Sequence, residues 1–469
     1  MTAHCWSDGT AESIDSLTER PSHIRSMLHR SSGASALVRD RDGGLWIGTS
    51  RGGLLHVHQG RTDVFSPSDG LSGDDVLSLF EDREGSIWVA TSNGLDRFRE
   101  FSVSTFTTNQ GLTISTVQST LADRDGSVWL SVPGALNRWS GGRITIYGRS
   151  AADPHANTNA PLSLFQDRRG RIWGVTSREF GYLDNDRFIS LNGIPGGVAR
   201  SIVEDADGDL WIANQDLGLF HLRGTEVVQQ IPWSKLGRKD FAAALAVDPF
   251  QGGLWLGYFQ GGIAHFKDGK IQESYGAADG LGEGRVNDLR LGPDGTLWAA
   301  TEGGLSRLKN NRFATLTSRN GLPCDTVHWV MEDDDRSFWL YSTCGLVRIA
   351  PAELGAWIAA VDQEQSFRIH ASVFDSSDGV MGQAYPFGFG PQVARSGDGK
   401  IWFPGLNGAR VVDPRHLPFN SLPPPVHIEQ ITADRKSYEV ASAASGALAA
   451  SRADSRSRDR LHGAEPGGS

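Results

Sequence analysis

The chain has 469 residues, including 57 Gly and 14 Trp, and a formal net charge of −10. The length allows one large core or two smaller ones, and the acidic balance argues against nucleic acid as the main partner. Three cysteines are too few for a disulfide framework, and no run of 18 apolar residues is present to span a membrane.

In chain order, Met1-Thr2-Ala3-His4-Cys5-Trp6 lacks a basic region followed by an apolar stretch and does not read as a signal peptide. From residue 40 onward one phrase recurs. It runs acidic turn, Gly, aliphatic, Trp, aliphatic, small residue, then Thr or Ser. Its clearest copies are Asp42-Gly43-Gly44-Leu45-Trp46-Ile47-Gly48-Thr49 and Glu84-Gly85-Ser86-Ile87-Trp88-Val89-Ala90-Thr91. The nine copies centre on Trp46, Trp88, Trp129, Trp173, Trp211, Trp255, Trp298, Trp339 and Trp402, spaced by 42, 41, 44, 38, 44, 43, 41 and 63 residues. A period near 40 with strand chemistry predicts an all-β fold, a β-propeller of four-stranded blades.

The second copy shows how one blade is expected to form. Val76-Leu77-Ser78-Leu79-Phe80 is the inner strand, and Asp82-Arg83-Glu84-Gly85 the turn, with Gly85 free to take positive φ. Ile87 to Thr91 is the next strand, Asn93-Gly94 the hairpin, Leu95 to Phe98 the third strand, and Phe101 to Phe106 the outer edge. The Trp strand is apolar on both faces, as suits a sheet covered on both sides, and each Trp should contribute about 2–3 kcal/mol of burial. A base also recurs: His56, Arg97, Arg138, His221, His265, Arg307 and Arg348. A ring of bases could serve an anion. The stronger expectation is that they pair with the turn acids Asp40, Asp82, Asp123, Asp167, Asp205 and Asp333.

The phrase, the period and the linking loops Asp69-Gly70-Leu71, Gln110-Gly111-Leu112, Asp279-Gly280-Leu281 and Asn320-Gly321-Leu322 resemble the two-component regulator propeller repeat. The resemblance covers roughly residues 30–440. In that family the repeats form the extracytoplasmic sensor half of bacterial histidine kinases and hybrid two-component systems. Two consecutive seven-bladed propellers, an Ig-like domain, a membrane helix and a kinase are the usual plan. The resemblance therefore implies a periplasmic, ligand-sensing input region, here without kinase segments.

Nine copies exceed one ring and fall short of two. The expected division is remnant blades of a preceding propeller over 1–112 and a seven-bladed propeller over 113–413. A linker and the start of an Ig-like domain follow over 414–440, then a disordered tail over 441–469. Cys5-Trp6-Ser7-Asp8-Gly9 parallels Arg138-Trp139-Ser140-Gly141-Gly142, which reads as the last strand of an earlier blade. Pro423 to Gln430 resembles the family's linker into its Ig-like domain, and the Ala, Ser, Arg and Gly composition after Ala441 fits a shifted reading frame.

The function this implies is a sensing or interaction propeller taking a small-molecule or saccharide ligand, with a homodimer as an open option and no cofactor. Ligands of propellers meet loops at one end of the central channel. Here these are the Gly-Leu loops and the turns after the Trp strands, which makes Asn287, His328, Tyr341, Tyr385 and Phe387 the candidate ligand-binding positions. Cys324 and Cys344 lie in loops opening on the same face of one blade, so a disulfide is geometrically allowed; two unpaired thiols are the alternative. Segment 350–372 is an insertion whose Ala352 to Ile358 reads as a short helix after Pro351. It is expected to decorate a blade edge, with a lid over a pocket as the sharper option. His56 and His58 share a strand face, but the spacing shows no third metal ligand, and no zinc, Cys-x-x-Cys or phosphate-loop motif occurs.

Two other readings stay open. One is a propeller enzyme of the streptogramin-lyase or sialidase-like type, since Asp294-Gly295-Thr296-Leu297-Trp298 is similar to the lyase phrase and sialidases share the acidic turn. The other is a fragment unable to close its ring.

Overall fold

The computed structural model describes residues 33–147, 160–184, 187–380, 389–417, 430–433 and 436–439. It divides into two compact units, Met1–Glu100 with Pro418–Gly468, and Phe101–Leu417. The parallel drawn for residues 1–10 and the reading of 441–469 fall outside the described residues.

In the first unit, strands Ala34–Arg39, Leu45–Thr49, Leu54–His58 and Arg61–Phe65 form an antiparallel sheet. Val76–Glu81, Ile87–Thr91 and Leu95–Phe98 form a second sheet. The two share a core of Trp46, Leu54, Leu71, Val76, Ile87 and Val89. Strands Gln430–Ala433 and Lys436–Glu439 pair as a hairpin.

The second unit holds seven four-stranded antiparallel sheets among the described residues, one for each Trp from Trp129 to Trp402. Each sheet is a blade of a propeller. The inner strands, including Ser119–Ala122, Ala199–Glu204, Val286–Leu291 and Val327–Glu332, lie side by side, and Ala394–Arg395 of the last blade meets Ser119–Ala122 of the first. The ring is therefore closed, which removes the open-ring reading for this unit.

Closure uses a strand that the sequence assigned elsewhere. Six blades of the ring are made from consecutive strands, but the last combines Ala394–Arg395, Ile401–Phe403 and Ala409–Val412 with Val103–Phe106. That strand was expected to be the outer edge of the Trp88 blade. It pairs instead with Ala409–Val412, in the register Val103↔Val412 to Phe106↔Ala409. The Trp88 sheet keeps three described strands, and the ring begins before residue 113. Val103 is 1% exposed because it enters a core with Trp339, Phe374 and Val412.

The repeated turn has a concrete job. In the Trp173 blade, Asp167 Oδ1 accepts hydrogen bonds from the backbone amides of Arg169 and Arg171, and Oδ2 accepts the indole N–H of Trp173 at 2.8 Å. The turn closes through Gly170 at φ 87°, a conformation that favours glycine. Asp40, Asp82, Asp123, Asp205 and Asp333 hold Trp46, Trp88, Trp129, Trp211 and Trp339 in the same way, with N–O distances of 2.8–3.0 Å. A buried indole N–H needs a partner, so the acid and the Trp six residues later form one unit.

This corrects the expected pairing of the recurring bases with the turn acids. The base lies directly opposite the Trp on the next strand, as in Trp46↔His56, Trp88↔Arg97, Trp129↔Arg138 and Trp211↔His221. It stacks on the indole: His56 with centroids 3.9 Å apart, His221 at 4.1 Å, and the guanidinium carbons of Arg138 and Arg97 at 5.1 and 5.4 Å. Its polar end then reaches a second acid of the turn, Glu84 for Arg97, Asp125 for Arg138 and Asp209 for His221. Among the described residues, His56 hydrogen-bonds its own turn acid, Asp40, at 3.3 Å, and His265 lies 3.6 Å from Asp248, which holds Trp255. In the Trp173 blade, Tyr182 stands opposite the Trp and Arg171 covers the ring instead, at 4.7 Å.

The turn acids also set an acid limit on stability. Burial pushes the Asp167 carboxyl up, but the indole N–H, the Arg171 amide and the Arg171 guanidinium together hold it below the usual carboxylate range. A carboxyl depressed in the folded chain contributes stability that is complete above its unfolded value, near pH 4, and is lost as pH falls through the folded value. Denaturant midpoints should therefore fall between about pH 4 and pH 2, and Asp167→Asn should show a smaller loss over that range. An equally steep acid limb in the variant would contradict this.

Helix α1, Pro351–Asp362, is longer than the sequence suggested. Its Leu354 and Trp357 are buried with Trp298, Phe338, Leu340 and Ile369. Trp298 has Gly292, not an acid, six residues before it. Its opposite base, Arg307, is met by Asp362 of α1 at 2.8 Å. The insertion thus packs along blade edges, and none of its residues lines the axial cavity described next.

Candidate functional site: the axial cavity

A cavity of about 790 Å³ runs along the axis of the second unit, walled by inner strands from around the ring. A β-bulge shapes it. Four consecutive inner strands shift register at their second residue, between Ala199 and Ser201, Ala242 and Ala244, Val286 and Asp288, and Val327 and Trp329. The extra residue in each, Arg200, Ala243, Asn287 and His328, lines the cavity. Bulges re-aim a side chain that regular pleating would send elsewhere. The position is equivalent in all four blades, yet its chemistry differs in each.

At this mouth Arg200, Arg285 and His328 converge. Burial lowers the affinity of Arg200 for its proton, and the nearby charge of Arg285 adds to that effect. His328 is likewise lowered, first by burial and then by Arg285. The Arg285 guanidinium carbon lies 4.3 Å from the Phe259 ring centroid, and that of Arg200 5.4 Å from Phe241. The two rings pack on each other at 4.8 Å. Gln215 Oε1 accepts from Arg200 Nε at 3.2 Å and from Nη2 at 2.5 Å. The wall carries five arginines and His328 against two acids, Asp288 and Glu302, although the chain as a whole is acidic.

Three of the expected ligand positions are brought together here. Asn287 lines the cavity while donating its side-chain amide to Val327 O of the next blade at 2.9 Å. His328 and Tyr341 face each other with ring centroids 5.8 Å apart. Tyr341 accepts a 2.6 Å hydrogen bond from Nη1 of the buried Arg410, and burial, opposed by Arg410, raises its phenol pKa. Tyr385 and Phe387 lie outside the described residues. Sequence reasoning missed Arg200, Arg285 and Phe259. The signal was present in the residue following the strand-opening aliphatic, as in Ala199-Arg200 and Val327-His328, but a bulge is needed to see that it points inward.

Cys324 and Cys344 are joined as a disulfide, with Cα atoms 5.9 Å apart. They link the loop before the inner strand of the Trp339 blade to the turn after its Trp strand.

Among the described residues, two clusters have metal-ligand chemistry, His56 with His58 and Asp63, and Asp205 with Asp209 and His221, each with ligand atoms within 4.8 Å. Asp63 is the neighbour that spacing did not reveal, because it sits across the strand pair from His56. In both clusters the imidazoles already have partners: His58 meets Asp63 at 2.7 Å, His56 meets Asp40, and His221 shares Asp209 with Arg223. These contacts serve the indole-stacking scaffold. Among the described residues no helix is long and apolar enough to cross a membrane.

Segments 30–51, 70–93 and 193–216 match the family described as two component regulator propeller. Among solved structures, the chain is similar to the extracellular domain of BT3049 from B. thetaiotaomicron, described as part of a hybrid two component system. Identity is 20% and the TM-score 0.69, covering 87% of this chain and 55% of that one. The extracellular domain of BT4673 from the same organism, given the same description, matches at 18% identity and a TM-score of 0.54, covering 87% and 56%. The chain thus spans a little over half the length of these domains. A comparison with curated proteins finds no match. Three segments of the chain thus match the two component regulator propeller repeat, and its second unit folds as a seven-bladed β-propeller.

Proposed function

We propose that this chain is the input region of a two-component signalling system and that the axial cavity of its closed ring receives a small-molecule ligand. The observation that carries the reading is the bulge position. The repeat keeps its Trp for packing, with a turn acid and a stacking base in most blades, and it varies the bulged residue that each of four blades turns into the cavity. A purely structural position would be expected to repeat like the rest. The volume is also in the range of small-molecule sites. The likeness to extracellular domains of proteins described as hybrid two component systems supports a place outside the cytoplasm.

The test is a thermal-shift screen of mono- and oligosaccharides and small metabolites against the full chain and Ala243→Trp. Ala243 lines the cavity without a functional group, so the indole should fill space without removing a contact. Compounds that stabilise the parent chain should lose their effect in the variant. Binding that survives Ala243→Trp unchanged would place the ligand elsewhere.

A further inference from the structure

We infer that the cavity mouth formed by Arg200, Arg285 and His328 is an oxyanion subsite, so that the ligand carries a carboxylate or sulfate group bound there. The inference rests on the axial cavity being the ligand site.

Three observations point the same way. First, like charges are gathered. Two guanidiniums and an imidazole share one mouth of a chain whose total charge is −10. Glu302 beside His328 and Asp216 beside Arg200 oppose the burial and mutual repulsion of these cations without cancelling them, so a further anion is favoured. Second, the guanidinium of Arg285 is held mainly by a ring face rather than by a carboxylate. It lies over Phe259, which fixes its plane while leaving its N–H edge for a ligand. Third, that edge lacks its expected partner. Arg285 Nε is buried and makes no hydrogen bond, and the nearest carboxylate oxygen, Glu302 Oε1, stands 3.9 Å away. Glu302 Oε2 is occupied by the Arg285 backbone amide at 3.1 Å. A buried guanidinium donor without a partner costs free energy, and an incoming oxyanion would satisfy it with charge-assisted hydrogen bonds.

The geometry also assigns roles. Arg285 is the principal anchor, since its donor is unsatisfied. Arg200 is braced by Gln215 and adds charge from the neighbouring blade. The rest of the ligand would extend along the axis, past Ala243 and Tyr341.

The experiment uses acetate and sulfate as oxyanion probes and acetamide as the neutral isostere of acetate, titrated calorimetrically into the full chain at constant ionic strength. At least one anion should bind about tenfold more tightly than acetamide, and Arg285→Gln should remove about tenfold of that affinity. Arg200→Gln, which leaves the Arg285 site in place, should weaken it less. A preference for acetate over sulfate would identify a carboxylate ligand, and the reverse a sulfate ester. Equal binding of anions and acetamide would overturn the inference, as would unchanged anion binding in a folded Arg285→Gln; if that variant does not fold, unchanged binding in Arg200→Gln has the same force. Neutral compounds that bind the parent chain but not Ala243→Trp would preserve the cavity as the ligand site while the oxyanion subsite fails. Anion binding that persists in Ala243→Trp would do the opposite.

Discussion

Trp339→Ala is expected to destabilise the chain by about 3–5 kcal/mol, read as a fall in the denaturant midpoint of the second unit. Trp339 has no exposed surface and packs with Leu346, Phe374 and Ile401 in a core shared by two neighbouring blades. Removing the indole leaves a cavity that closed β-sheets cannot collapse around easily. It also removes the donor to Asp333, which is 4% exposed. Trp339→Phe separates the two effects. It keeps most of the packing and deletes the N–H, so it should cost about 1–3 kcal/mol, the penalty for a buried acceptor losing its partner. If Trp339→Phe were as damaging as Trp339→Ala, packing would not be the larger contribution. If Trp339→Ala matched the parent chain, the blade architecture would be wrong.

Val103→Asp should have a comparable effect by a different route, with a loss of at least about 3 kcal/mol. Val103 belongs to a strand far in sequence from its partners, and it is sealed against Val412 and the Trp339 blade. A carboxylate there would be buried among Trp339, Phe374 and Val412 and would force the strand out of the last sheet. The ring would then open at residues 409–412, whose side chains are all buried, and limited proteolysis should cut near residue 103. Val64→Asp is the control. Val64 lies on an outer strand and is 42% exposed, so the same chemical change should alter stability by no more than about 0.5 kcal/mol. Equal resistance to protease in the parent and Val103→Asp chains would show that ring closure does not depend on this strand.

Much of the repeat architecture was legible in the residues because blade chemistry is local. The turn acid, the positive-φ glycine and the Trp lie within seven residues of one another, so each copy announces itself. The base on the next strand was visible too, but its role was misread. Sequence spacing places a base near an acid, and only the strand register shows that the indole lies between them, donating its N–H to the acid and offering its face to the base. The insertion was read as an edge decoration, and it is one, because its apolar residues had a neighbouring blade to cover.

The sequence by itself determined that this protein is a series of Trp-centred, four-stranded units, since strand, turn and indole anchor are fixed by contacts between residues close in the chain. Tertiary structure alone decided which strand closes the ring and which side chains meet on its axis. Val103 pairs with Val412 across some 300 residues, and Arg200, Arg285 and His328 come from three separate blades. No local pattern encodes such meetings. They arise when the blades are wound into a circle and small bulges in four inner strands each turn one residue toward the centre.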